Sequence, residues 1–153
     1  MLLLLFQLGR DRYAIDARQV VEVLPPITAK RIPRAPACVA GLFDYHGASV
    51  PLLDLGVLGT GQPASSRLST RIILVDYPDP RGGTRLLGLL AERVTDTVQR
   101  DRSEFQSSGV VVADAPWLGP VASDSRGMLQ WIELGQLLDD DLQALLFEQP
   151  EPA

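Results

Sequence analysis

The chain has 153 residues, 46% of them apolar, so it can bury a substantial core and is expected to form one compact domain. Its formal net charge is −5, and it lacks the clusters of Lys and Arg with which proteins bind nucleic acids or anionic membrane surfaces, so both classes of partner are disfavoured. The single cysteine excludes an internal disulfide, and no apolar run approaches the roughly 20 residues of a membrane-spanning helix, so we expect a cytoplasmic protein.

The first predicted elements are short strands. The opening MLLLLF is shorter than the apolar core of a signal peptide and soon meets Gly-Arg-Asp, so residues 2–8 are predicted to form a buried strand. Residues 12–15 are predicted to pair back across this turn, and Asp16 is suited to cap the short helical turn that follows. Residues 21–24 and 28–32 are predicted to be two further strands, separated by a pair of prolines.

A β-hairpin is predicted next, from residues 38–45 and 49–53. The only histidine of the chain, His46, stands directly before Gly47 in the predicted turn. Glycine at such a position supplies a positive φ or room for a close approach between strands. Pro51 within the second strand indicates a sheet edge or a bulge, where another polypeptide could pair.

The composition changes at residues 59–69, which read GTGQPASSRLS and are predicted to be a mobile loop or the seam between two halves. Residues 71–75 and 86–91 are continuous apolar runs on either side of a Gly-Gly turn, and residues 94–98 alternate weakly. Three more short strands are predicted at residues 110–112, 118–122 and 128–132.

Only the end of the chain has a helical pattern of any length. Leucines recur at helical spacing from residue 134 to residue 146, and the acidic run at 139–141 is suited to the N-terminus of the last helix. Residues 149–153 are predicted to be a disordered tail, which leaves residues 1–148 as a single domain. About ten short strands without βαβ alternation indicate a barrel or sandwich fold, and two small barrels with a seam near 59–69 are favoured.

The residues needed for catalysis are not arranged in any recognisable pattern. Every His-based triad would have to use His46, and Cys38 between Ala and Val is typical of a core residue. Ser49 is not in a strand-to-helix elbow, so a small hydrolase using Ser49 and His46 is the least favoured hypothesis. A carboxylate pair drawn from Glu22, Asp44 and Asp54 stays open as a weaker alternative.

Metal and phosphate sites are disfavoured for the same reason. Asp44 and His46 are two residues apart, but zinc usually needs three or four ligands, and Asp54 is better suited to cap the turn that follows it. The glycines at 59–61 and 82–83 match neither a P-loop nor a dinucleotide-binding turn. We therefore predict neither an enzyme nor a cofactor.

Three motifs in order carry a resemblance to a known family. They read Y-x-I-D-x-x-x-V-x-E, P-x-A-P-x-x-V-x-G and G-x-x-x-P-x-x-D-L, and the chain ends with M-L-Q-W-I-E-L-G-Q-L-L. In these motifs, and over nearly the whole chain from Leu2 to Leu146, the sequence resembles the CheW family. The resemblance implies a mainly β fold of two intertwined five-stranded SH3-like barrels with short C-terminal helices.

The resemblance also implies a function without catalysis. Proteins of this family couple the cytoplasmic tip of a methyl-accepting chemoreceptor to the regulatory domain of a CheA-type histidine kinase. In keeping with the composition, we expect no cofactor, no nucleic-acid partner and no direct insertion into the membrane. A scaffold for a response regulator or another pathway protein on the same fold is the alternative within this class.

The resemblance further implies the residues that meet these partners. The family usually has Asn and Arg where this chain has Asp44 and His46, and its Arg can pair with the Glu that matches Glu22. The receptor-facing residues are therefore expected to be Val20, Glu22, Asp44, Tyr45, His46 and Gly47, and Arg71, Val94 and Val98 are expected to line a groove for the kinase or the receptor.

The change from Arg to His46 makes this a divergent member, because imidazole lacks the permanent charge and the fork of a guanidinium. The plain structural alternatives remain open at this point. His46 can simply occupy a turn, with its ring hydrogen-bonded to the nearby backbone, and Val94 and Val98 can be ordinary core residues.

Overall fold

The computed structural model describes residues 1–65 and 69–147. Its helices are α1 (Leu55–Thr60) and α2 (Asp140–Leu146), with 3-10 turns at Ala17–Gln19, Arg102–Glu104 and Leu134–Gln136. Its strands are β1 (Leu2–Leu8), β2 (Asp11–Asp16), β3 (Val20–Leu24), β4 (Val39–Tyr45), β5 (Ala48–Asp54), β6 (Arg71–Pro78), β7 (Thr84–Gln99), β8 (Leu118–Asp124) and β9 (Gly127–Ile132).

Hydrogen bonding groups these strands into two units of five, with β7 common to both. In the first barrel the order is β4, β5, the first half of β7, β6 and β3. In the second barrel the order is the second half of β7, then β1, β2, β9 and β8. The mainly β fold with two intertwined five-stranded units is thereby confirmed. Strands from both sides of the segment at 59–69 occur in each barrel.

The longest strand, β7, passes from one barrel to the other through a kink. Residues 84–91 pair with β6, and the residues from Glu92 onward pair with β1. Arg93 at the kink has a φ of 49°, and the register with β1 shifts there. The prediction of two separate strands in this region was wrong, because a bulge bends a strand while pairing continues on both sides of it.

The two barrels contain matching hairpins. Tyr45 and Ala48 flank the two-residue turn between β4 and β5, and Asp124 and Gly127 flank that between β8 and β9. Each hairpin has a register shift in its first strand. The second strand of each hairpin then runs parallel to a neighbour, β5 to β7 and β9 to β2.

The ends of the hairpins match as well. The backbone N–H of Asp54 donates to the carbonyl of Cys38 at 2.7 Å, and that of Glu133 donates to the carbonyl of Trp117 at 2.8 Å. A single antiparallel bridge lies on the outer edge of each hairpin, at Leu42 in one and Val121 in the other. The fold therefore repeats one unit twice, so a position in one barrel has a counterpart in the other.

The core joins the two barrels into one body. Phe6 and Ile15 of the second barrel lie in the same buried cluster as Ile73 and Leu89 of the first barrel. The C-terminal segment after β9 packs on this cluster and is bonded to Tyr77 of β6, which is fully buried. Its hydroxyl donates to the carbonyl of Gly135 and accepts from the N–H of Leu138, both at 3.1 Å.

The helix caps were predicted correctly, but two of the predicted strands do not form. Asp16, Asp54 and Asp139 each accept a backbone N–H at the start of a helical turn or helix. Residues 28–32 form only one bridge, and residues 110–112 form no strand and are exposed, Val111 to 96%. The preference of valine for strands depends on packing against neighbours, which these three valines lack. No helix in the described part of the chain is long and apolar enough to cross a bilayer.

A cluster of charges fastens the β8–β9 turn to the rest of the second barrel. The carboxylate of Asp124 accepts two hydrogen bonds from Arg12, at 2.8 and 2.9 Å, and one from Arg100 at 2.7 Å. The backbone N–H of Arg126 donates a further bond at 2.8 Å. The hydrogen bonds from Arg12 are the main reason that the pKa of Asp124 is far below its usual value.

We expect this cluster to make stability depend on pH. A lowered pKa stabilises the folded chain above the unfolded pKa near 4, and that stabilisation is lost as the pH falls through the folded pKa. Between pH 5 and pH 2 the native chain should lose on the order of 1 kcal/mol more free energy of unfolding than Asp124→Asn, measured by urea unfolding at each pH. Parallel pH curves for the two proteins would show that the cluster contributes nothing.

Candidate protein-docking site

The turn between β4 and β5 holds the only histidine in a left-handed conformation. His46 has a φ of 50° and Gly47 a φ of 87°. Two successive positive φ values are the geometry of the two-residue turn that best fits twisted antiparallel strands. The glycine therefore serves the turn, as predicted, and the exposed His46 is held at its tip.

The side chain that precedes this turn links the hairpin to strand β3. The hydroxyl of Tyr45 donates to Oε2 of Glu22 at 2.7 Å. The bond to Glu22 raises the pKa of Tyr45, because the carboxylate accepts the phenolic proton and repels the phenolate. The ring of His46 packs edge-on against Tyr45 with the ring centroids 4.4 Å apart. Glu22, Tyr45 and His46 thus form one connected group.

Strand β3 is at the edge of its sheet, because β6 is its only neighbour among the strands of the described residues. Val20 packs partly against the core, and a register shift follows it. Val21 is 44% exposed and Val23 is 40% exposed. An edge strand with exposed apolar side chains is a ready place for another polypeptide to bind. We call the group of Val21, Glu22, Val23, Asp44, Tyr45 and His46 the hairpin surface.

The hairpin surface carries negative charge. Glu22 and Asp44 are exposed, and neither pairs with a cationic side chain among residues 1–65 and 69–147. The partner of Glu22 is the Tyr45 hydroxyl. The resemblance did not predict this contact, and no local pattern in the sequence indicates it.

The three residues expected to line a groove are not gathered at the hairpin surface. Arg71 begins β6, and its guanidinium donates to the carbonyl of Thr70 at 2.7 Å. Val94 is buried in the main core, and Val98 packs partly against the core of the second barrel. Through the repeat, Val94 and Val98 are the counterparts of Val20 and Leu24 in the first barrel. Their role in a groove stays a prediction.

Cys38 and Asp54, which were considered as catalytic or metal-binding residues, have structural roles. Cys38 is buried, and its burial raises the pKa of its thiol, as expected for a core residue. Asp54 accepts the N–H groups of Gly56 and Val57 and so caps α1. Burial raises the pKa of Asp54 despite these bonds. Within the described residues no three His, Cys, Asp or Glu side chains are grouped as a metal site would need.

Comparison with known proteins gives a consistent picture over the length of the chain. The model of the CheW-like domain family matches residues 2–142. The chemotaxis protein CheW of Klebsiella aerogenes is 25% identical over 145 residues, which are 94% of this chain and 84% of that protein. The chemotaxis protein CheW of Treponema pallidum is 38% identical over 115 residues, which are 72% of this chain and 64% of that protein.

A solved structure has the same fold. It is that of the scaffolding protein TtCheW from Thermoanaerobacter tengcongensis, with a TM-score of 0.79 and 21% identity. The match covers 90% of this chain and 87% of the other. The pair of five-stranded barrels is therefore shared with a protein of known structure.

Proposed function

The chain belongs to the CheW family, and from that premise we propose that it couples a methyl-accepting chemoreceptor to a CheA-type histidine kinase. Membership of the family makes it a non-catalytic adaptor of chemotaxis signalling. Binding to the cytoplasmic tip of the receptor and to the regulatory domain of the kinase would place it in the cytoplasm, associated with membrane receptor arrays through its partners. Residues 1–148 would act as one domain, and the tail at 149–153 lies outside the described residues.

The observation that carries this proposal is the hairpin surface. It combines an edge strand, two exposed valines and the connected group of Glu22, Tyr45 and His46. Exposed apolar side chains supply binding energy, and charged groups beside them select the partner. We propose that the receptor tip binds here, over Val20 and Gly47 as well as the hairpin surface itself.

The replacement of the family's Arg by His46 is proposed to change the choice of receptor. The carboxylates of Glu22 and Asp44 are left without a guanidinium in the described structure, so the surface is more acidic than the family pattern implies. A receptor that binds it should carry a basic group at the facing position. Such a divergent adaptor would serve a dedicated chemosensory-like pathway with its own receptor.

We expect Glu22→Arg to weaken binding to the cognate receptor fragment at least tenfold. The substitution reverses a charge at the centre of the hairpin surface and removes the acceptor of the Tyr45 hydroxyl. Titration calorimetry with a purified receptor hairpin and, separately, with the kinase regulatory domain measures both affinities. Binding to the kinase domain should change less than threefold.

The matched control is Asp11→Arg, which makes the same charge change at an exposed position of the second barrel. It should leave both affinities within threefold of those of the native chain. If neither partner binds the native chain at tens of micromolar, the coupling proposal is wrong. If only a response regulator or another pathway protein binds, the scaffold alternative replaces it.

A further inference from the structure

A cleft of about 210 Å³ lies in the second barrel beside the kink of β7. Its lining includes Arg12 of β2, Arg93 of the kink and Arg126 of the β8–β9 turn, together with Gln7 and Asp96. Three guanidinium groups around one cleft stand out in a chain whose formal net charge is −5. We call it the arginine cleft.

Two of these arginines have no acidic partner in the described structure. Arg12 is committed to Asp124 through two hydrogen bonds. Arg93 and Arg126 are exposed, and neither forms a salt bridge among residues 1–65 and 69–147. The backbone positions both residues, since Arg93 is at the left-handed kink and the N–H of Arg126 is bound to Asp124. Exposed and unpaired guanidinium groups that extend from a fixed backbone are suited to meet a ligand of opposite charge.

The repeat places this cleft at the counterpart of the hairpin surface. The turn that contains Arg126 matches the turn of His46 and Gly47. Glu22 of β3 is the register partner of Leu74 of β6, and Asp96 of β7 is the register partner of Leu5 of β1. Because β6 and β1 are equivalent strands of the two barrels, Glu22 and Asp96 are counterparts. The carboxylate of Glu22 thus has a counterpart in Asp96, but the cleft adds the guanidinium groups of Arg93 and Arg126, which the hairpin surface lacks.

We propose that the arginine cleft is a second docking site, which takes an acidic segment of a partner protein. The positive guanidinium groups of the cleft favour carboxylates, because one guanidinium can donate two parallel hydrogen bonds to one carboxylate. Asp96 in the lining carries a negative charge and so disfavours a phosphate dianion. This site goes beyond the proposed coupling function, because it would bind its segment whether or not the hairpin surface binds a receptor.

The test uses the whole chain and a defined probe, an acetylated and amidated peptide of four glutamates separated by alanines. The Nε–Hε signals of arginine in ¹⁵N NMR spectra report binding at each guanidinium. We expect saturable shifts at Arg93 and Arg126 with a Kd in the millimolar range or tighter, and little response to inorganic phosphate at the same ionic strength. Absence of saturable shifts at these two residues would overturn the proposal, and so would tighter binding of phosphate than of the peptide.

Variants separate a built site from general charge attraction. Arg126→Glu should weaken peptide binding at least fivefold, and Arg126→Lys should weaken it less. The matched control is Arg31→Glu, an exposed arginine in the loop before β4, which should leave the affinity within a factor of two. Equal losses in Arg126→Glu and Arg31→Glu would contradict a site at the cleft. Arg93→Asn tests the kink residue separately, because asparagine tolerates a left-handed backbone.

The same variants distinguish this proposal from the coupling function. Arg126→Glu should bind the receptor fragment like the native chain, with an unchanged backbone NMR spectrum away from the turn. Loss of receptor binding in that folded variant would mean that the cleft belongs to the receptor site, which overturns a separate docking role. Failure of the native chain to bind any receptor would leave the peptide titration unaffected.

Discussion

Replacement of Gly41 by alanine is expected to lower the free energy of unfolding by about 3 kcal/mol. Gly41 has a φ of 142°, which L side chains rarely adopt, and an added Cβ would collide with the carbonyl oxygen of Lys30. That carbonyl is backbone and accepts the N–H of Leu42 in the bridge on the outer edge of the hairpin, so it cannot move without loss of the bridge. Urea unfolding followed by circular dichroism measures the change.

The control for this prediction is Gly47→Ala in the turn of the same hairpin. Gly47 also has a positive φ, of 87°, but no atom lies within 4 Å of the position of an added Cβ. Gly47→Ala should therefore lower the free energy of unfolding by the backbone strain alone, about 1 kcal/mol. Equal losses in the two variants would show that the collision with Lys30 is relieved at no cost.

Tyr77→Phe is expected to destabilise the chain by about 2 kcal/mol. The substitution removes the hydroxyl that bonds Gly135 and Leu138, and it leaves the buried N–H of Leu138 without that partner. The C-terminal helix should loosen first, because Tyr77 is the side chain that bonds β6 to the segment before it. Hydrogen exchange of the amides in α2 should accelerate more than that of amides in β6.

Tyr13→Phe provides the comparison, since Tyr13 is also a buried tyrosine of the core. No hydrogen bond acts on its hydroxyl within the described ranges, so the change should cost less than about 0.5 kcal/mol. If Tyr77→Phe is as mild as Tyr13→Phe, the bonds to the C-terminal segment do not contribute to stability.

Features set by neighbouring residues were predictable from the sequence. Asp16, Asp54 and Asp139 cap turns or helices, because an acidic side chain bonds N–H groups two or three residues later. The turn at His46 and Gly47 follows from a glycine between two apolar runs. The mainly β class follows from the short runs and turns, and the two five-stranded barrels followed from the resemblance.

Features set by distant residues were not predictable from local patterns. The bond between Tyr45 and Glu22 joins residues of different strands, and no spacing in the sequence indicates it. The arginine cleft likewise combines Arg12, Arg93 and Arg126, which only the fold brings to one place. The sequence supplied the types of residue in both sites, and the pairing of strands decided which of them meet.

Each barrel contains strands from both sides of residues 59–69, and this has a consequence for any attempt to divide the protein. A break between residues 59 and 69 would separate β1–β5 from β6–β9, and each fragment would then carry strands of both barrels. Neither fragment could fold alone, although the two together could reassemble by complementation. The two halves of the chain therefore depend on each other for folding, and one half could be exchanged for that of a relative only if its strands fit both barrels.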